Sequence, residues 1–133
     1  MSIIALYFIS LLAFLGIDAV WLTKVMKPLF DRHVSDLLRP EIQIGAAAGF
    51  YALYIVGILY FCTLPGLREG SVALAALNGA LLGFLAYGTY EFTNMTTLKG
   101  WTWSMVITDT GWGMALTAAV AVIGVYAGRM LGM

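Results

Sequence analysis

Apolar residues gather in four long runs, roughly Ile3 to Thr23, Ile42 to Leu64, Val72 to Phe92 and Trp103 to Ala127, with polar residues collected between them. Each run is close to the ~20 residues that carry an α-helix across about 30 Å of hydrocarbon. Strands of a membrane barrel would be half as long and would alternate apolar with polar, which these runs do not. The pattern predicts an all-α, integral membrane four-helix bundle, a single four-span domain over residues 1–133. The opening MSIIALYFISLLAFLGIDAVWLTK has no leading positive charge, and its apolar run is longer than the core of a signal peptide, so it reads as a retained span.

Between the first two runs, Leu29, Phe30, Val34, Leu37 and Leu38 fall on one helical face and Asp31, Arg32, Ser35 and Asp36 on the other. With Pro28 suited to a first turn, this predicts a short amphipathic helix at the membrane surface. His33 stands at its apolar edge. Pro40 and Glu41 suit the first turn of the second span, where an acid meets the positive end of the helix dipole. Pro65-Gly66 reads as its stop. Gly45 and Gly49 carry the small-xxx-small spacing that lets helices approach closely. Tyr51, Tyr54 and Tyr60 on the same helix can line a cavity, though packing is the commoner role of such aromatics. In the third span Gly79, Gly83, Tyr87 and Glu91 recur every four residues, and Asn94 follows three later, so all share one face.

Composition sharpens the class. Hydrophobic residues make up 62% of the chain and charged residues 11%, too greasy for a soluble domain of 133 residues. Net charge is zero, which gives no handle for nucleic acid. Cys62, the lone cysteine, has no partner for an internal disulfide and reads as a small buried hydrophobe. Lys24, Lys27, Arg32, Arg39 and Lys99 lie on one side of the four-span topology, against Arg68 and Arg129 on the other. The positive-inside rule makes the first side cytoplasmic and puts both termini on the periplasmic, outer side of a bacterial inner membrane.

The chemistry concentrates between Tyr87 and Gly113. Ionisable groups inside a bilayer are costly, so an acid there signals a functional site. Asp18, Glu91 and Asp109 come from three different spans and fall at comparable depth, with Asn94, Thr96 and Thr97 at the same end. Asp18-Ala-Val-Trp21 and Asp109-Thr-Gly-Trp112 share a spelling that sets a carboxylate and an indole three apart on one helix face. Two such copies can form a quasi-symmetric pair, with indole N–H groups as donors. The candidate ligand-binding residues are therefore Asp18, Trp21, Tyr87, Glu91, Asn94, Thr97, Asp109 and Trp112. A purely structural network of the same groups competes with this reading. Trp101 and Trp103 read as interfacial belt residues.

Carboxylates without neighbouring histidine or cysteine suit a hard cation, a cationic ligand or proton exchange. No metalloprotease helix, nucleophile elbow, Walker loop or paired-cysteine motif occurs, so the residues identify no catalytic reaction. His33 alone in a linker does not support haem. A retinal Schiff base needs a lysine within a span, and none is expected there. The cofactor is accordingly unknown. Three functions follow: a cytoplasm-facing acidic and aromatic pocket for a small or lipidic ligand or a cation; an accessory subunit of a larger membrane complex or a homo-oligomer; and a lipid-modifying enzyme using Asp109 and Glu91 as acid and base.

Taken together, Asp18-Ala-Val-Trp21-Leu22, Tyr87-Gly-Thr-Tyr90-Glu91-Phe-Thr93-Asn94, Thr97, Trp101 and Asp109-Thr-Gly-Trp112-Gly113 resemble a family of small bacterial membrane proteins known as domain of unknown function 2177. The resemblance spans nearly the whole chain and implies a four-span inner-membrane protein without an assigned activity. Glu91 stands where that family's pattern more often has Asp, which keeps the charge but adds a methylene.

Overall fold

The computed structural model describes residues 2–34, 36 and 44–133. Among these residues there are no strands, and four helical runs are long and apolar enough to span a membrane: Ser2–Val34, Gly45–Glu69, Val72–Thr97 and Trp103–Met130. With no water in hydrocarbon to satisfy backbone groups, helices are the structure such apolar runs must adopt. The expected four-helix architecture is what the chain forms.

The first run is α1 (Ser2–Trp21), a π-helical segment (Leu22–Met26) and α2 (Lys27–Val34). The second is α3 (Ile44–Ile58), another π segment (Leu59–Thr63) and α4 (Leu64–Glu69). Each π segment lies just ahead of a proline, Pro28 or Pro65. A proline has no N–H to give the carbonyl four residues earlier, and its ring crowds that carbonyl. Widening the helix relieves both without breaking it. At Pro65 the carbonyl four residues back, on Phe61, instead accepts from Asn78 Nδ2 at 3.0 Å. Pro65-Gly66 therefore does not end the second span, contrary to the sequence expectation. Gly70 does, in the left-handed conformation at φ 63°.

The third and fourth runs are single helices, α5 (Val72–Thr97) and α6 (Trp103–Met130), both longer than their apolar cores. The hydroxyls of Ser71 and Thr102 cap them, accepting the backbone N–H of Leu74 at 3.0 Å and of Met105 at 3.3 Å. One residue pair, Gly70-Ser71, joins the second run to the third, so these helices are antiparallel neighbours. At 1.5 Å per residue the 26 residues of α5 extend about 39 Å, enough to cross the hydrocarbon and emerge.

The α5–α6 pair is the tightest in the molecule, and α6 touches all three other runs. Helix association in lipid has no hydrophobic drive and relies on close packing. Gly79 and Gly83 supply it: a Cβ on Gly79 would sit 2.7 Å from the Ala118 backbone, and one on Gly83 would collide with the backbone of Gly113. Gly113 in turn lies under the Tyr87 ring. The stripe on the third span thus packs as its spacing implies. Gly45 and Gly49 do not, for they face outward with open space around them.

The amphipathic helix is present as α2, continuous with the first span. Val34 on its apolar face packs with Trp101, Met105 and Val106, and Leu29 and Phe30 lie against the same cluster. The carbonyl of His33 approaches Gly100, whose φ of 82° turns the chain between α5 and α6. Lys24 and Lys27, expected outside the helices, lie within this continued run and are exposed. The expectations for Leu37, Leu38, Pro40 and Glu41 fall outside the described residues.

Candidate functional site

Three carboxylates come together where α1, α5 and α6 meet. Asp18 is 3% exposed, Glu91 0% and Asp109 8%. Such groups are normally paired with opposite charge when buried. Among the described residues no base pairs with them, and the only ion pair joins Lys27 to Asp31, an exposed pair within α2.

Indoles supply the donors instead. Trp112 Nε1 donates to Asp18 Oδ1 at 3.2 Å, and Trp101 Nε1 donates to Glu91 Oε1 at 2.9 Å. Trp21 and Trp112 stack with ring centroids 4.2 Å apart and planes 2° from parallel. Trp21 brings its N–H beside the Asp109 carboxyl but does not close a bond of ordinary geometry. The two Asp-x-x-Trp motifs therefore exchange partners: the α6 indole bonds the α1 acid, while the α1 indole faces the α6 acid. Glu91 lies against Asp109 as well, and its Oε2 is buried without a donor.

In front of Asp18 and Asp109 opens a cavity of about 630 Å³, within the usual range for small-molecule sites. The first run contributes Leu22, Met26 and Phe30 to its wall, α3 contributes Ala47, Phe50, Tyr51 and Tyr54, and α5 contributes Ala86, Tyr87, Thr89 and Tyr90. Tyr51 faces Asp18. Tyr54 is anchored by a 2.9 Å hydrogen bond between its hydroxyl and Thr117 Oγ1, and its ring meets Tyr87 edge-on at 6.4 Å. Phe14, fully buried, wedges against the rings of Tyr51 and Tyr54 and fixes them from behind.

Of the residues singled out from sequence, Asp18, Trp21, Glu91, Asp109 and Trp112 form one connected cluster, and Tyr87 walls the cavity beside it. Asn94 is half-buried next to Tyr90, at the cluster's edge. Thr97 is not brought in: it is exposed, and its hydroxyl bonds the Thr93 carbonyl of its own helix at 3.0 Å. Trp101 is the residue the belt reading missed. It is nearly buried and bound to Glu91, whereas Trp103 is 56% exposed as a belt residue should be. Tyr51 and Tyr54 also belong to the wall. Their signal was the four-residue frame Ala47-Tyr51 and Phe50-Tyr54, overshadowed by the ordinary packing role of such aromatics. Among the described residues, no group of three histidine, cysteine, aspartate or glutamate side chains is arranged to hold a metal ion.

No curated protein and no solved structure matches the chain. A family model described as predicted membrane protein matches residues 3–126, which takes in both Asp-x-x-Trp motifs, Glu91 and the whole cavity wall. The chain belongs to that family of membrane proteins of unknown function, domain of unknown function 2177.

Proposed function

We propose that this protein binds a small or lipidic ligand inside the bilayer, in the cavity walled by Asp18, Asp109 and the tyrosines. The observation that carries this reading is an aromatic cavity of about 630 Å³ with two buried carboxylates at its wall and, among the described residues, no base beside them. A structural network alone needs the indole bonds to those acids but has no use for the space in front of them. Glu91 packs behind Asp109, outside the cavity wall. Trp112 and Trp101 hold the carboxylates in place, and Tyr54 keeps the wall open.

The arrangement of charge supports an orientation. Lys24, Lys27, Arg32 and Lys99 gather at the end where α2 covers the α5–α6 turn, opposite Arg68 and Arg129. We place the first end in the cytoplasm and both termini outside, in a bacterial inner membrane. The outward Gly45 and Gly49 on α3 leave a flat face suited to a second helix, from another copy or a partner protein.

Native mass spectrometry of protein gently extracted from its own membrane tests the ligand reading. The expected spectrum shows a retained non-protein mass at one per chain, lost in Asp109→Asn while helix content is unchanged. Protein that carries no such mass, or a mass retained equally by Asp109→Asn, contradicts it. A second polypeptide at fixed ratio would point to the accessory-subunit role instead.

A further inference from the structure

We infer that the cavity takes an organic ammonium group borne on an apolar chain, its nitrogen set between the Asp18 and Asp109 carboxyls and the surrounding aromatic faces. This deepens the ligand reading above and rests on it. Charge is the first argument. Among the described residues three buried acids meet without a lysine, arginine or histidine along the cavity wall, which favours a cation there. The lining is the second. Phe30, Phe50, Tyr51, Tyr54, Tyr87 and Tyr90 surround the space in front of the carboxyls. Aromatic faces attract a diffuse cation, and boxes of them recognise alkylated ammonium groups.

Alternatives fit less well. A hard divalent ion wants six or more oxygen ligands, but one oxygen of Asp18 and one of Glu91 are committed to indole N–H groups. A zwitterionic lipid headgroup would bring its phosphate into a site with no basic partner among the described residues. A monocationic amphiphile meets neither obstacle. Its chain would run along Leu22, Met26 and Ala47, where the flexible thioether of Met26 adapts to irregular shapes.

The test uses the full chain in dodecyl maltoside and the quenching of its tryptophan fluorescence by two dodecyl nitroxides. One carries a dimethylammonium group at the head, and the other is its uncharged analogue. The inference expects saturable quenching by the cationic probe at an affinity at least tenfold above that of the neutral one. Asp18→Asn and Asp109→Asn should each remove that preference, and Asp109→Glu should keep it, which separates charge from folding. Dodecyltrimethylammonium should displace the probe at least tenfold better than dodecylphosphocholine. Equal binding of the two nitroxides, with both blocked by Ala47→Trp, overturns the ammonium inference but leaves the ligand cavity standing. Equal competition by the phosphocholine overturns the choice of a free amine over a lipid headgroup. Absence of saturable quenching by either probe, or quenching untouched by Ala47→Trp, overturns the cavity reading as well.

Discussion

Trp101 shows how one residue can be misjudged from sequence and still be decisive. A tryptophan after Lys99-Gly100 at a helix end has the look of a headgroup anchor, and Trp103 two positions later is exposed as such an anchor would be. What separates them is the turn at Gly100, which swings Trp101 under α2 and onto Glu91. No spacing rule encodes that swing. The Asp-x-x-Trp motifs were legible as pairs on a face, but which neighbour each would bond was not, because helix periodicity says nothing about the facing helix. Thr97 failed for a local reason: a helical threonine readily bonds the carbonyl four residues back. The indole bonds carry a prediction. Trp101→Phe leaves a fully buried acid without its only donor and should cost about 1–3 kcal/mol, read from unfolding in mixed micelles. Adding Glu91→Met to that variant removes the orphaned group and should recover a substantial part of the loss. A double variant no more stable than Trp101→Phe alone would show that Glu91 needs no donor.

Among the elements, the prolines and glycines decide where helices bend and where they touch. Pro65-Gly66 has the composition of a stop, yet inside a membrane a broken helix strands polar backbone, so widening into a π segment is the lower-energy answer. Sequence patterns cannot easily tell the two outcomes apart. Glycine stripes carry a similar ambiguity: Gly79/Gly83 and Gly45/Gly49 have the same spacing, and only the first pair meets a helix inside the bundle. Gly83→Ala should accordingly destabilise the α5–α6 pair by at least about 1–3 kcal/mol, since the collision is with backbone that cannot rotate away. Gly49→Ala, with open space around it, should leave monomer stability within about 0.5 kcal/mol. Equal losses at both positions would mean that the packing face has been misassigned.

For the molecule as a whole, hydropathy was enough to count four spans, because a bilayer imposes a length and an apolarity that few other environments demand. It did not show that α2 continues the first span, nor that the space between α3 and α5 stays open, since both depend on how side chains meet. The charge asymmetry predicts a topology that labelling can check. In a Cys62→Ser background, Lys99→Cys should react with an impermeant maleimide only in inside-out vesicles, and Arg129→Cys only in right-side-out ones. The reverse pattern would invert the orientation proposed above.

The central claim is that the crossed carboxylate–indole cluster forms the wall of a ligand cavity. Indole N–H resonances test it most directly, because each of the four tryptophans contributes one such signal and the structure gives them different surroundings. Titrating dodecyltrimethylammonium into the nitrogen-labelled protein in maltoside micelles should shift the Trp112 and Trp21 signals saturably, while that of exposed Trp103 stays near its starting position. Shifts that grow without saturation and equally at all four indoles would mean that the amphiphile only mixes into the micelle, and would contradict the account.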